Sequence, residues 1–208
     1  MSSAPPPGKA ALRKNLRALR RALPPKVHAS HSRRAAAALL RLSAFGAGRR
    51  IALYLPFDAE TATGPLIAAA RRRKLKIFVP VVADRRRRRL AFHELEAGTR
   101  RGAFGIPIPE RRTRELAARW FNLIVVPLVG VDADGRRLGM GGGFYDRSLG
   151  FRRHRRHWRG PRVIGLAFDC QCVESVSAES WDLAFDAIAT ESGIRHFSRG
   201  GDFSRGGA

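Results

Sequence analysis

Four consecutive apolar residues, Leu123-Ile124-Val125-Val126, are followed by Pro127. A β-branched run without alternation predicts a strand buried on both faces, as in a parallel sheet. Runs of the same kind occupy 51–55, 75–82 and 163–168, and Asp186-Ala187-Ile188-Ala189-Thr190-Glu191 predicts a closing strand. Residues 90–95 have period two, which also predicts a strand. Helical patterns lie between these runs. Leu12, Leu16, Leu19 and Leu23 recur at helical spacing among Lys9, Arg13, Lys14, Arg17, Arg20 and Arg21, and Pro24-Pro25 stops that helix. An alanine-rich helix is predicted over 26–42, and a third starts near Thr63-Gly64-Pro65. Residues 105–110 read as extended, and the arginines at 85–89 as an exposed loop. A chain of 208 residues with this pattern accommodates one α/β domain with a proper core. We bound that domain at 9–195, after a Ser/Pro-rich lead at 1–8 and before a low-complexity tail at 196–208 that repeats FSRGG. Both ends are expected to be disordered.

Charge changes the picture. Lys and Arg number 40 against 17 Asp and Glu, a formal charge of +23, nearly all of it arginine. Such a charge attracts polyanions, whether nucleic acid, acidic lipid or anionic small molecules, or else is a solvated surface of an arginine-favouring composition. The basic stretch at 152–159, with His154, His157 and Trp158, poses the same choice between an RNA grip and a solvated helix end. His28 and His31 have no carboxylate or cysteine at ligand spacing and read as surface residues. Cys170 and Cys172 are too few for a zinc site and fall at a predicted strand end, where they cannot easily bridge; a reducing cytosol fits. No apolar run approaches the roughly 18 residues that a membrane span needs.

The candidate chemistry follows the 123–126 strand. After a turn at Asp132-Ala133-Asp134-Gly135 come Arg136, Arg137, Gly139, Gly141, Gly142, Gly143 and then Phe144-Tyr145-Asp146. Glycines at this density let backbone N–H groups crowd around an anion, and a helix opening near Gly143 adds its dipole. It is neither a Walker loop nor a G-x-G-x-x-G fingerprint. From the residues alone it is a flexible connector or a phosphate cradle, and Asp146 and Asp182 are carboxylates suited to Mg²⁺ beside phosphate. Glu60, at the end of the 51–55 strand, stands either at a helix N-terminus or at a ligand edge.

The string RLGMGGGFYDR, from Arg137 to Arg147, resembles the R-L-G-x-G-x-G-[YF]-Y-D signature of the 5-formyltetrahydrofolate cyclo-ligase (5,10-methenyltetrahydrofolate synthetase) family. Weaker matches follow in order: the basic first helix, Glu60 after Leu55, the Gly105-Ile106 segment, Gln171, Asp182 and the final strand. The resemblance implies a three-layer α/β/α fold around a mostly parallel sheet, related to the NagB/RpiA isomerase and CoA-transferase group. It implies ATP- and Mg²⁺-dependent conversion of 5-formyltetrahydrofolate to 5,10-methenyltetrahydrofolate, giving ADP and phosphate. By the same resemblance ATP meets Lys9, Ala10, Ala11, Leu12 and Arg13, and Arg137, Leu138, Gly139, Met140, Gly141, Gly142, Gly143, Phe144 and Tyr145. The folate meets Leu55, Glu60, Met140, Gly141, Gly142, Gly143 and Phe144; Tyr145 orients the reacting groups; Asp146 and Asp182 hold Mg²⁺. Some family members place Lys or Arg where this chain has Met140 and Gly142, which makes Arg136, Arg137 and Arg147 candidates for the missing charge. The family's basic first helix favours a mature helix here over an organelle-targeting peptide. A cytoplasmic monomer is expected. The competing reading is a basic RNA-associated protein on the same scaffold, motivated by the charge and the FSRGG tail.

Overall fold

The computed structural model describes residues 8–96, 98–102, 105–111, 113–154, 160–177, 179 and 182–197. The 1–7 lead, His157, Trp158 and the tail from Ser198 lie outside the described residues. Helices α1 (Lys9–Arg21) and α2 (Pro25–Leu40) precede β1 (Arg50–Ala52), α3 (Gly64–Arg72) and the antiparallel pair β2 (Lys76–Asp84) and β3 (Arg89–Glu94). A small hairpin, β4 (Thr99–Arg101) and β5 (Pro107–Pro109), leads to the central strand β6 (Leu123–Pro127). Then come the short pair β7 (Gly130–Val131) and β8 (Arg137–Leu138), the single-turn helix α4 (Phe144–Ser148), β9 (Arg162–Leu166), β10 (Ala187–Thr190) and β11 (Gly193–His196).

Seven strands form one sheet in the order β11-β10-β9-β6-β1-β2-β3. The inner five are parallel and the two edges antiparallel. Strand succession runs outward from β1 in one direction and from β6 in the other, so the crevice between their C-terminal ends is a topological switch point. Ligands sit at such crevices in open α/β sheets.

Period two assigns the strand residues to two cores. Ile51, Leu53, Ile77, Val79, Leu123, Val125 and Ile164 pack against Ala35, Ala36 and Leu39 of α2 and Leu66 and Ala70 of α3. Alanines bring both helices close to the sheet, and each fully buried leucine contributes about 1.5–3 kcal/mol. Ala52, Phe78, Ile124, Val126, Val163 and Ile188 face the other way, against Phe92, Phe121, Leu149, Leu183 and Phe185. That second face is covered by α4 and irregular segments rather than by long helices.

Three expectations change. Leu19 is 53% exposed, whereas Arg20 is 1% exposed. The buried stripe of α1 is Leu12 and Leu16, packed with Val129, Leu138 and Val176, and Arg20 continues it one turn on because it meets polar partners inside. The 85–89 run is exposed, as expected of a loop, and turns tightly over 85–88 to close the β2–β3 hairpin, but Arg89 already belongs to β3. Cys170 and Cys172 lie within and just after a 3₁₀ turn (Asp169–Gln171), not at a strand end, and both are free and half-buried. Gln171 makes that turn: its side chain accepts the Phe168 N–H at 3.0 Å, which ends the extended backbone.

Candidate active site

A cavity of about 980 Å³ opens at the switch point. Its floor comes from the strand ends: Tyr54 and Leu55 after β1, Pro80, Val81 and Val82 of β2, and Pro127 and Leu128 at β6. One wall is the segment Arg137–Arg147, and another is Phe57 and Glu60 in the loop after β1. Lys9 and Arg13 of α1, Arg88 of the β2–β3 turn, and Glu179 and Asp182 complete it.

The glycine segment is held by α1. Arg13 Nε donates to the Gly139 carbonyl at 2.8 Å. Gly141 (φ 92°) and Gly143 (φ 67°) occupy the left-handed region that favours glycine. Among the described residues, no acceptor takes the N–H groups of Met140, Gly141 and Gly142, which are three donors on one short arc. The helix expected at Gly143 is α4, only five residues long, so its dipole adds little and the backbone N–H groups are the anion-binding feature.

Arg137 is buried, and its Nη2 donates to both oxygens of Asp146, at 2.7 and 2.8 Å. Asp146 Oδ1 also accepts the Leu183 N–H at 3.0 Å, which ties α4 to the segment carrying Asp182. Lys9 Nζ lies 3.8 Å from Asp182 Oδ2 and 3.6 Å from Glu179 Oε1. Among the described residues, no three of His, Cys, Asp and Glu cluster so as to hold a metal alone. Two carboxylates on one cavity suit a hard cation whose shell is completed by ligand oxygens and water.

Glu60 sits against apolar walls, and burial pushes its carboxyl up to about 7, although the Phe57 amide and the Arg20 charge favour its ionised form. Its Oε2 accepts that Phe57 N–H at 3.1 Å. Tyr145 is raised well above the usual phenol range by burial and then by the negative field of Glu60, so its hydroxyl stays protonated at neutral pH. Its ring lies 5.9 Å from the Arg137 guanidinium.

The cavity therefore gathers Lys9, Arg13, Leu55, Glu60, residues 137–146 and Asp182, which are scattered over the sequence. It does not gather Ala10, Ala11 or Leu12. The two alanines face away, since an α-helix turns only one stripe toward a partner, and Leu12 packs into the small core beneath. Of the arginines proposed to supply charge, Arg137 and Arg147 line the cavity, whereas Arg136 pairs with Asp132 and Asp134 elsewhere. Arg88 was hidden in the arginine run, yet its Nη1 comes within 3.7 Å of where a Cβ on Gly143 would stand. The apolar lining by Tyr54, Phe57, Pro80, Val81, Val82, Leu90, Ile106 and Ile108 was also missed. Its residues carry only a strand signal. Gln171 stays outside the cavity: it is buried, donating to the Leu128 and Val129 carbonyls. His28 and His31 are half-buried against Phe168, and His31 Nδ1 lies 2.9 Å from Glu191 Oε1, a partner that sequence spacing could not reveal.

A mostly parallel sheet with a two-sided ligand cleft at its switch point defines an α/β enzyme that handles small molecules. Residues 6–191 match the model of the 5-formyltetrahydrofolate cyclo-ligase family. The chain belongs to that family. It is 31% identical over 182 residues to the 5-formyltetrahydrofolate cyclo-ligase of Escherichia coli (strain K12), covering 86% of this chain and 98% of that protein. It is 35% identical over 146 residues to the Haemophilus influenzae enzyme of the same name, covering 67% of this chain and 75% of that one. Among solved structures, Aquifex aeolicus 5,10-methenyltetrahydrofolate synthetase superposes with a TM-score of 0.78 at 26% identity, covering 95% and 96% of the two chains. Among the described residues, no helix is long and apolar enough to cross a membrane.

Proposed function

We propose that this enzyme uses ATP and Mg²⁺ to convert 5-formyltetrahydrofolate to 5,10-methenyltetrahydrofolate, giving ADP and phosphate. The observation that carries the reading is one cavity with two unlike halves. The half bounded by Lys9, Arg13 and the N–H groups of 140–142 suits a polyphosphate, and the half bounded by Leu55, Phe57, Val82 and Ile108 suits a flat, largely apolar ring. Glu60 stands at the apolar half as the polar group that a pterin-like ring with N–H donors would meet.

On this reading the formyl oxygen attacks the γ-phosphorus and ADP leaves. The neighbouring nitrogen then attacks the formyl carbon, loses its proton, and phosphate departs as the ring closes. The protein's contribution is alignment of two bound ligands and neutralisation of charge. Lys9, Arg13 and Arg88 offset phosphate charge, and the glycine segment lets backbone approach it without a Cβ in the way. Arg137 fixes the Asp146 carboxylate, and Tyr145, protonated, offers a hydrogen-bond donor that orients the reacting groups. Asp146 and Asp182 would hold Mg²⁺, which supplies charge neutralisation at the transferring phosphoryl group when bound.

The test is the near-ultraviolet absorbance of methenyltetrahydrofolate after mixing protein, ATP, Mg²⁺ and 5-formyltetrahydrofolate. The reading expects a rise that requires all three ligands and falls at least a hundredfold in rate with Asp146→Ala. A flat trace from folded protein that binds ATP would overturn the folate assignment.

A further inference from the structure

Helix α1 touches the cavity only with its first half; its second half grips something else. Arg17 Nε donates to Asp58 Oδ2 at 2.8 Å, and Arg20 Nη2 donates to the Asp58 carbonyl at 2.6 Å and to Oδ2 at 3.2 Å. Arg21 completes the set on Oδ1. The side chains of Arg20 and Asp58 are 1% and 7% exposed. Arg20 Nη1 also reaches the carbonyl of Leu128, the cavity residue at the end of β6, at 3.3 Å. A guanidinium this deep needs these acceptors, so they fix where α1, the loop after β1 and the end of β6 meet.

The loop so gripped is an unusual one. Asp58 (φ 54°) and Ala59 (φ 57°) are consecutive non-glycine residues in the left-handed region. Such a pair persists only where its surroundings impose it. The surroundings here are the three arginines on Asp58 and His28 Nε2, 3.2 Å from the Ala59 carbonyl. On either side of this pair, Phe57 and Glu60 face the cavity, whereas Asp58, Arg17, Arg20 and Arg21 do not line it.

We propose that Asp58 and Arg20 are positioning residues that couple the two halves of the cavity. Contact of a nucleotide with Lys9, Arg13 and the glycine segment is carried along α1, one rigid helix of 13 residues, to the loop presenting Phe57 and Glu60 to the second ligand. The inference rests on the reading of the cavity given under Proposed function. Nucleotide binding tightens the folate half, and by linkage the folate tightens the nucleotide half equally.

Hydrogen–deuterium exchange of the intact protein, with and without ATP and Mg²⁺, tests this at segments 56–62 and 138–144. In the wild type both segments slow on nucleotide addition. In Asp58→Asn only 138–144 slows, the KM for 5-formyltetrahydrofolate at saturating ATP rises about fivefold or more, and ATP binding at saturating folate weakens by the same factor, while ATP binding in the absence of folate changes less than about twofold. Arg21→Ala, which leaves two arginines on Asp58, keeps both segments protected. If Asp58→Asn does not fold, Arg20→Lys carries the same comparison, since it keeps the charge and loses the fork. Protection of 56–62 that survives in the variant overturns the proposal, as does a wild type that protects 138–144 alone. A wild type in which neither segment slows overturns the nucleotide reading itself, and the coupling with it.

Discussion

Two carboxylates, Glu60 in the cavity and Asp58 in the loop beside it, titrate on opposite sides of their ordinary ranges, and each has a stability consequence. Burial holds Glu60 at about 7, so the stability tied to its protonated form is complete below the ordinary glutamate range and lost as pH rises through 7. The loss amounts to about 3 kcal/mol. Glu60→Gln removes it, so in urea unfolding the variant should be more stable than wild type at pH 8, with the gap closed by about pH 4. A gap of equal size at both pH values would show that Glu60 is not held protonated. Asp58 behaves in the reverse sense. Burial alone would raise it, but the hydrogen bonds from Arg17 and Arg21 win and hold it low, so its contribution is present above the ordinary aspartate range and lost only in acid. The Arg137–Asp146 pair is different again, because both partners are largely buried. Arg137→Ala leaves a carboxylate without its cation and should cost about 3–5 kcal/mol in thermal or urea unfolding. Asp146→Ala added to it should cost less than the two single changes summed, as expected when each substitution strands the other's partner.

At the scale of elements, the glycine segment carries the sharpest prediction. Gly141→Ala places a Cβ at φ 92°, which costs about 1 kcal/mol of folding stability and sets a methyl group among the N–H groups of 140–142, which no described residue accepts. ATP affinity should therefore fall at least tenfold by calorimetry, with a melting point lowered by only a few degrees; equal affinity would mean that the nucleotide does not approach this backbone. This segment was legible in the sequence because it is contiguous and its chemistry is backbone chemistry. The strands were legible too, since burial on both faces leaves unbroken apolar runs. Other elements were not. Leu19 and Arg20 exchange their expected positions because helical periodicity reports where apolar residues recur, not what a guanidinium will find at the far side. Asp58 carried no sequence signal at all, since its three arginines sit 37 to 41 residues away. Arg88 was one arginine among five, and only the tight turn between β2 and β3 separates it from its neighbours by aiming it at Gly143.

For the whole molecule the governing quantity is the charge of +23. Much of it is unevenly placed: Arg86, Arg87, Arg89, Arg147 and Arg153 ring a second hollow of about 570 Å³, and Arg147 belongs to the main cavity as well. Like charges gathered this way favour the unfolded chain, where they separate. Their repulsion is solvent-exposed and therefore screened by salt, whereas the buried grips on Asp58 and Asp146 are screened far less. Between about 0.01 and 0.1 M ionic strength the screening length falls from about 30 to 10 Å, which removes repulsion between arginines of separate elements. If that relief is worth about 1–2 kcal/mol, the melting point of a chain this size should rise by about 2–8 °C. The measurement is thermal unfolding in sodium chloride, chosen because chloride lacks the oxygens that the arginines could chelate. A melting point that falls with salt would mean that attractive surface pairs, such as Arg136 with Asp134, outweigh the repulsion, and that the arginine excess is already compensated within the fold.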